Sequence, residues 1–403
     1  MPAKVSHILC SKHWINNYGV NYNHFKTFYR YLTAIECNAT QEINTKSGVT
    51  LGHRPVMCRK IVDAFRVKDG QTYIDMTFGS GGHTKYLLAT NKKIKVLAMD
   101  RDPIAYQRAV VLAKNELIAA NGQQVIPLLG RFSELPNLMA TNDVEPDSVD
   151  GVIMDLGASS MQFDDPRRGF ALSTDGPLDM RMDGKRFEMM PTAADVVNTL
   201  SAEHLAKIFK IYGEERYAVK IAQTIVDSRF LMRRLSSTTE LAQLIANITA
   251  NYQSFDSLGR TQHSATKVFQ ALRIFVNNEI NELNYVLQKV ITYLKPTLNL
   301  NFKKRDTEDN NYEDIDGGII AVLSFHSLED KIVKKHLIGT EVNPKFDVKH
   351  FNHLVVHNEQ QLDEVLQKSW KQINKRVITP NEDEVVANPR SRSAKLRLAV
   401  KIS

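Results

Sequence analysis

An α/β fold, with helices layered on a mostly parallel sheet and a helical insert interrupting it, is what this sequence of 403 residues predicts. Three observations lead there. Apolar runs of strand length alternate with helix-forming stretches between residues 72 and 155, the rhythm of βαβ units. The first run empties into a glycine-rich turn, and the second and fourth end on an aspartate, so polar groups gather along the carboxyl edge of the sheet. After Asp155 the alternation gives way to helical periodicity, returning to a strand only at 318–325.

Tyr73, Ile74, Asp75, Met76 and Thr77 form the first strand, which leads through Phe78-Gly79-Ser80-Gly81-Gly82-His83 into a helix over 84–90. Ile94 to Met99 is the second, closed by Asp100, and helix formers fill 105–120. Val125 to Leu129 and Val149 to Met154 supply the third and fourth, the latter ending at Asp155. Residues 157–191, rich in Gly, Asp, Arg, Met and Pro without a period, read as a long loop. Helices follow at 202–209, 214–230 and 239–249, the last with Leu241, Leu244, Ile245 and Ile248 on one face. Phe269, Leu272, Val276, Ile280, Leu283, Leu287 and Val290 keep helical spacing and predict one continuous helix to Leu294, where Lys295-Pro296 stops it. Residues 303–316 are charged and poor in apolar side chains, which predicts a solvated, flexible loop before the strand at 318–325.

The composition, 43% hydrophobic, 24% charged and 8% aromatic, is globular and excludes wholesale disorder, collagen repeats and a disulfide scaffold. No apolar run approaches the roughly 20 residues of a membrane-spanning helix, so no membrane partner is expected. Cys10, Cys37 and Cys58 form no CxxC pair, which fits neither a disulfide framework nor a zinc ribbon, and no metal site is expected. The net charge of +7 is unevenly placed: Lys4, Lys12, Lys26 and Arg30 precede the first acidic residue, Glu36. A basic, acid-free start without the apolar core of a secretory signal predicts an organelle-targeting leader over 1–45, a disordered basic tail being the plainer alternative. Lys368 to Lys401 carries nine Lys or Arg against Glu382, Asp383 and Glu384, an excess suited to a polyanion.

Glycines let a chain pass close to a ligand, since they accept positive φ and present bare N–H groups. Here Gly79, Gly81 and Gly82 make that turn, and Asp100, twenty-one residues beyond Gly79, can accept both hydroxyls of a ribose. The pair defines a nucleoside-cofactor site shared by dehydrogenases and methyltransferases. The spacing is GxGG and not G-x-G-x-x-G, which tilts the reading away from a dinucleotide.

Several segments resemble, in order, the signatures of the RsmH (MraW) family. They are His53-Arg54-Pro55-Val56, Asp75 to His83, Asp100-Arg101-Asp102-Pro103, Gly130-Arg131-Phe132-Ser133 and Asp155 to Gln162. Arg168-Gly169-Phe170, Leu178 to Met182, Phe269 to Ile274, Ser324 to Asp330 and Asn388 to Arg397 complete the set, which covers roughly 50–400. The resemblance implies a Rossmann-like class I methyltransferase that uses S-adenosylmethionine to methylate N4 of a cytidine in small-subunit rRNA. Bare RNA or an assembling subunit would be the partner, and with the leader the compartment would be the mitochondrial matrix. It further implies that Gly81, Gly82 and His83 form the cofactor loop. Asp100 then holds the ribose, Phe132 flanks the adenine, and Asp155 with Gln162 lies at the cofactor end of the fourth strand. Met161 and Ala158 stand where the family often has Pro and Val.

A cytosine amine is a poor nucleophile, because its lone pair is delocalised into the ring. An acceptor must engage an N4 hydrogen, and Asp155 has the type and place for it, with an N-cap role as the alternative. Asp155-Leu156-Gly157-Ala158 lacks the aromatic of the Asp- or Asn-Pro-Pro-Tyr tetrapeptide of many amino methyltransferases, which leaves Phe163, Phe170 or Phe325 to hold the flipped base. His326 is either a second catalytic contact or a structural histidine, and Glu329 with Asp330 read as a helix-start charge pair. Arg167, Arg168, Arg181, Arg390, Arg392, Lys395 and Arg397 are candidate phosphate contacts. The expected organisation is a methyltransferase domain over 46–163 and 262–403, with a helical, RNA-clasping insert over 164–261. A catalytically silent assembly factor and a small-molecule methyltransferase are the alternatives.

Overall fold

A computed structural model of the protein describes residues 55–231, 234–249, 254–255, 261–299, 315–338 and 369–402, with 302, 304, 306 and 312 between them. The expected leader and nearly all of 342–370 lie outside the described residues. Strands β1 (Thr72–Asp75), β2 (Lys95–Asp100), β3 (Gln124–Leu129), β4 (Gly151–Asp155), β7 (Pro296–Thr297), β8 (Ile319–Ser324), β9 (Trp370–Gln372) and β10 (Lys395–Ile402) build the central sheet; β5 (Ser254–Phe255) and β6 (Thr261–Gln262) pair apart from it. Its order is β3-β2-β1-β4-β8-β10-β7, with β9 alongside β10. β1, β2, β3, β4 and β8 are parallel, and β10 runs antiparallel to β8.

Residues alternate between two cores, as a pleat covered on both sides requires. Tyr73, Val96, Ala98, Ile153, Ala321 and Leu323 face one core, with Phe65 of α1 (Cys58–Phe65) and Leu87 and Leu88 of α2 (Gly82–Leu88). Ile74, Leu97, Met99, Val152, Met154, Ile320 and Val322 face the other. The strand order reverses between β1 and β4, so the chain segments leaving their carboxyl ends diverge and open a crevice there.

Elsewhere the helices are α3 (Pro103–Ala113), α4 (Glu116–Ala120), α5 (Leu135–Thr141), α6 (Ser160–Asp164), α7 (Ala193–Thr199), α8 (Ala202–Gly213), α9 (Ala218–Leu231), α10 (Thr238–Thr249), α11 (Thr266–Asn277), α12 (Glu279–Lys289), α13 (Ser327–Ile338) and α14 (Glu382–Ala387). α7 to α11 enclose a third core running from Phe170 to Val276. It is joined to the sheet through Asp183, which is fully buried and paired with Arg101 after β2, Arg131 after β3 and its own neighbour Arg186. Among the described residues no helix is long and apolar enough to cross a membrane.

Several expectations are corrected. The helix over 105–120 is two, because Asn115 caps a new start by accepting Leu117 N–H. The helix to Leu294 breaks at Asn278, which sits at φ 52. Asn277 explains the break: its side chain is spent on Met180 O and Met182 N–H, tying the preceding loop to α11. The helix expected from Glu214 starts at Ala218, Glu214 being the left-handed C-cap of α8. The loop over 157–191 contains α6 and a 3₁₀ turn, Pro166–Arg168. Within 303–316, Tyr312 and Ile315 are buried with Phe302 against the sheet, so this stretch is anchored and not simply solvated. β10 was not foreseen either, because Lys395 and Arg397 mask its alternation with the buried Leu396 and Leu398.

α8 and α11 approach so closely at Gly213 that a Cβ there would lie 2.5 Å from Lys267 O. Alanine would gain about 1 kcal/mol of helix propensity, but forcing a methyl group against backbone costs about 1–3 kcal/mol. Gly213→Ala should therefore lower the urea midpoint by the equivalent of about 1 kcal/mol and Gly213→Val by more; an unchanged or raised midpoint contradicts this packing.

Candidate active site

The crevice is a cleft of about 960 Å³ whose walls come from the ends of β1, β2 and β4, from α6 and α11, and from the turns before α13 and β10. One end is built on the turn after β1. Asp75, fully buried, accepts Thr84 Oγ1 at 2.7 Å and Thr77 N–H at 3.2 Å, locking both sides of the turn. Gly79 and Gly81 adopt φ of 53° and 79°, and a Cβ on Gly81 would fall 2.6 Å from the Phe78 ring, so this bend is open to glycine alone. Gly79 N–H donates to Asp100 Oδ2 at 2.7 Å, and Asp102 N–H donates to Asp100 Oδ1 at 2.8 Å. Burial pushes Asp100 up to about 7, outweighing those two donors. Phe132 flanks it on a 3₁₀ turn held by Glu282, which accepts Ser133 N–H and Oγ–H.

At the end of β4, Asp155 N–H donates to Thr77 Oγ1 at 2.7 Å. Its carboxylate does not cap α6. That cap is Ser159, in a reciprocal box with Gln162. Asp155 Oδ1 is buried without a hydrogen-bond partner, and Oδ2 lies 3.4 Å from Nε2 of the buried His83. Gln162 lines the cleft but is committed at both ends, accepting Ser159 N–H and donating Nε2 to Asp102 Oδ2 at 2.8 Å.

The opposite wall is aromatic and basic. Phe163 and Phe170 meet edge to face at 6.2 Å, Arg390 sits 5.7 Å above Phe163, and Phe325 follows β8. His326 Nε2 lies 2.8 Å from Glu329 Oε1, and Nδ1 faces Glu329 N–H at 3.5 Å, so both ring nitrogens are turned inward. Glu329 is buried and also accepts Phe325 N–H at 2.8 Å. Burial alone would push this carboxyl up, but His326, Arg273 and that N–H hold it below the usual range. Glu329 and Asp330 stand in the first turn of α13, the helix-start pair expected, and Glu329 also closes the loop before it. Arg273, assigned no role from the sequence, is clamped by Glu279 through Nε and Nη2, both at 2.9 Å, and lines the cleft beside Gly157. An arginine in an otherwise apolar helix face was its one signal.

The candidate phosphate contacts divide. Arg168 pairs with Asp102 at 2.7 Å and donates to Arg181 O and Met182 O. Arg181 is forked onto Asp179, and Lys395 and Arg397 both converge on Asp330. The three arginines are largely buried in these bonds, whereas Lys395 stays 41% exposed. Arg167 is 84% exposed and forked onto Asp165, Arg390 is half exposed and pairs with Asp164, and Arg392 is exposed with no ion pair among the described residues.

A family profile described as the MraW methylase family matches residues 50–302 and 312–402. The chain is 43% identical over 355 residues to a Drosophila melanogaster protein named probable methyltransferase-like protein 15 homolog, covering 87% of this chain and 93% of that one. It is 43% identical over 362 residues to the Homo sapiens 12S rRNA N(4)-cytidine methyltransferase METTL15, covering 87% and 83%. It is 37% identical over 354 residues to the Nitrobacter winogradskyi ribosomal RNA small subunit methyltransferase H, covering 86% and 90%. A Culex quinquefasciatus protein named putative receptor-type tyrosine-protein phosphatase mosPTP-1 is 42% identical over 353 residues, and the chain spans 22% of its length.

Because Arg168 neutralises a carboxylate that is only 2% exposed, Arg168→Ala should lower stability by about 3 kcal/mol in chemical denaturation. Arg167→Ala should leave the midpoint where it is. Equal effects of the two would contradict this division of the arginines.

Proposed function

The chain belongs to the MraW methylase family, and from that premise we propose that it transfers a methyl group from S-adenosylmethionine to N4 of a cytidine in small-subunit rRNA. One observation carries the reading. A turn open only to glycine and the ribose-type acid Asp100 share a single cleft with Asp155, with aromatic side chains and with exposed arginines.

The residues fit an adenosyl sulfonium. The Asp100 carboxylate lines the cleft for ribose hydroxyls, Phe132 offers a face to adenine, and the Gly79–Gly82 turn leaves room beside bare backbone. When bound, the sulfonium supplies an electrophilic methyl group, its carbon–sulfur electron pair staying on sulfur. Gln162 contributes by fixing Asp102, and through it Asp100, more than by direct contact.

The Asp155 carboxylate, which lines the cleft, is the acceptor for an N4 hydrogen, and it takes the proton that the amine must release. Once N4 carries the methyl group it is a strong acid, so a carboxylate is base enough. Phe163, Phe170 and Phe325 hold the flipped base, and Arg167, Arg390 and Arg392 meet the RNA backbone. Arg168, Arg181 and Arg397 are spent on internal ion pairs instead. His326, turned onto Glu329, orders the loop after β8. In this reading residues 46–163 and 262–403 are the methyltransferase domain, 164–261 clasps RNA, and the basic start of the chain directs it to the mitochondrial matrix.

The direct test is transfer of labelled methyl from S-adenosylmethionine to small subunits isolated before modification, with the base mapped. N4-methylcytidine at one site is expected. Binding without transfer would instead mark a silent assembly factor. Asp100→Ala removes two charge-assisted hydrogen bonds of about 1.5–3 kcal/mol each, so calorimetric affinity for the cofactor should fall at least about a hundredfold.

That affinity should also depend on pH, since the ionised form of Asp100 is the better acceptor and burial holds its pKa near 7. Below that value binding must expel a proton. Affinity should be flat above about pH 8 and weaken towards about tenfold per unit below about pH 6; a flat profile throughout contradicts the assignment.

A further inference from the structure

His83 sits in the glycine-rich signature that implies cofactor binding and lines the cleft, and its ring also meets Asp155. The ring is buried at the start of α2, and neither nitrogen has a hydrogen-bond partner among the described residues. Nε2 faces Asp155 Oδ2 at 3.4 Å, Oδ1 of that carboxylate is buried without a hydrogen-bond partner, and the Asp155 side chain, 27% exposed, lines the cleft. A bare carboxylate on the carboxyl end of a strand has two equivalent oxygens and a free rotor. A ring set against one of them fixes that rotor.

We propose that the His83 imidazole is a positioning residue for methyl transfer: set against Asp155 Oδ2, its Nε2 fixes the rotamer of the carboxylate that meets the acceptor amine. The inference rests on Asp155 being the group that engages N4. The proton leaving N4 passes to the Asp155 carboxylate and then through the open cleft to solvent, so His83 itself touches neither substrate nor the migrating methyl.

The surroundings favour a charged or donating ring. Burial by itself would lower the pKa of His83, but Asp155 of β4, then Asp75 of β1 and Glu384 of α14, outweigh it and hold the imidazole above its ordinary value. Asp75 is occupied by Thr84 and Thr77, and Glu384 accepts Met57 N–H. Asp155 is therefore the carboxylate with capacity left for His83.

Glutamine places its amide nitrogen where Nε2 stands, whereas asparagine reaches only to Nδ1. His83→Ala and His83→Asn should each lower kcat by about tenfold or more, with cofactor affinity within about threefold of the parent. His83→Gln should recover most of kcat. In the protein alone, the His83 ring should titrate above the ordinary histidine range by NMR, and its pKa should fall in Asp155→Asn.

Unchanged kcat in His83→Ala, equal loss in the Gln and Asn variants, or a His83 titration indifferent to Asp155→Asn would each overturn the proposal. The two readings fail separately. An Asp155→Asn enzyme with full turnover removes Asp155 from the chemistry, whereas a silent Asp155→Asn beside an unaffected His83→Ala leaves Asp155 in place and removes only His83.

Discussion

A carboxylate buried at the mouth of the sheet has to be fully bonded, and Asp102 organises the site by meeting that requirement. Its side chain caps α3 through Ile104 N–H and accepts both Gln162 Nε2 and Arg168 Nη1. Its own N–H donates to Asp100, which in turn accepts Gly79 N–H. One continuous run of hydrogen bonds thus ties the glycine turn, the end of β2, the helix after β4 and the entry to the helical insert. A lone buried charge would cost several kcal/mol, so each partner is held in place by the others. The cleft is rigid on this side because its polar atoms have no alternative partners.

The opposite side is organised by the same rule with different residues. Glu329 gathers His326, Phe325 N–H and the edge of Arg273, while Asp330 gathers Lys395 and Arg397. Charges that look like an RNA surface in the sequence are therefore partly internal. Counting arginines in a basic segment does not separate the two kinds, since Arg390 and Arg397 are seven residues apart and read alike. Strand pairing separates them: Arg397 lies on β10 opposite Val322, beside the first turn of α13, and Arg390 lies on the turn before it.

The parallel strands β1, β2, β4 and β8 were legible because each is covered on both faces and so becomes a short apolar run; β3, at the edge, is only partly covered. The glycine turn and Asp100 were legible because backbone chirality and ribose recognition admit few residue types. β10 was not, since its outward lysine and arginine hide a strand whose inward residues are all apolar. The break at Asn278 was hidden for another reason. Hydrophobic spacing carries straight across it, and only the tertiary bonds of Asn277 to Met180 and Met182 reveal why the helix ends there. His83 was visible as part of a motif, but the direction of its ring depends on Asp155, seventy-two residues further on.

The tetrapeptide after β4 carries no Pro-Pro-Tyr because Gly157 stands at φ 98, which a second proline could not adopt. The Arg273 guanidinium, fixed by Glu279 and drawn towards Glu329, lies in ordinary contact distance beside it. Aromatic surface is supplied across the cleft instead, by Phe163, Phe170 and Phe325, which belong to three separate segments. Splitting the stacking surface from the acidic motif in this way makes base capture depend on how those segments are held together, and the buried ion pairs of Asp102 and Glu329 are what hold them.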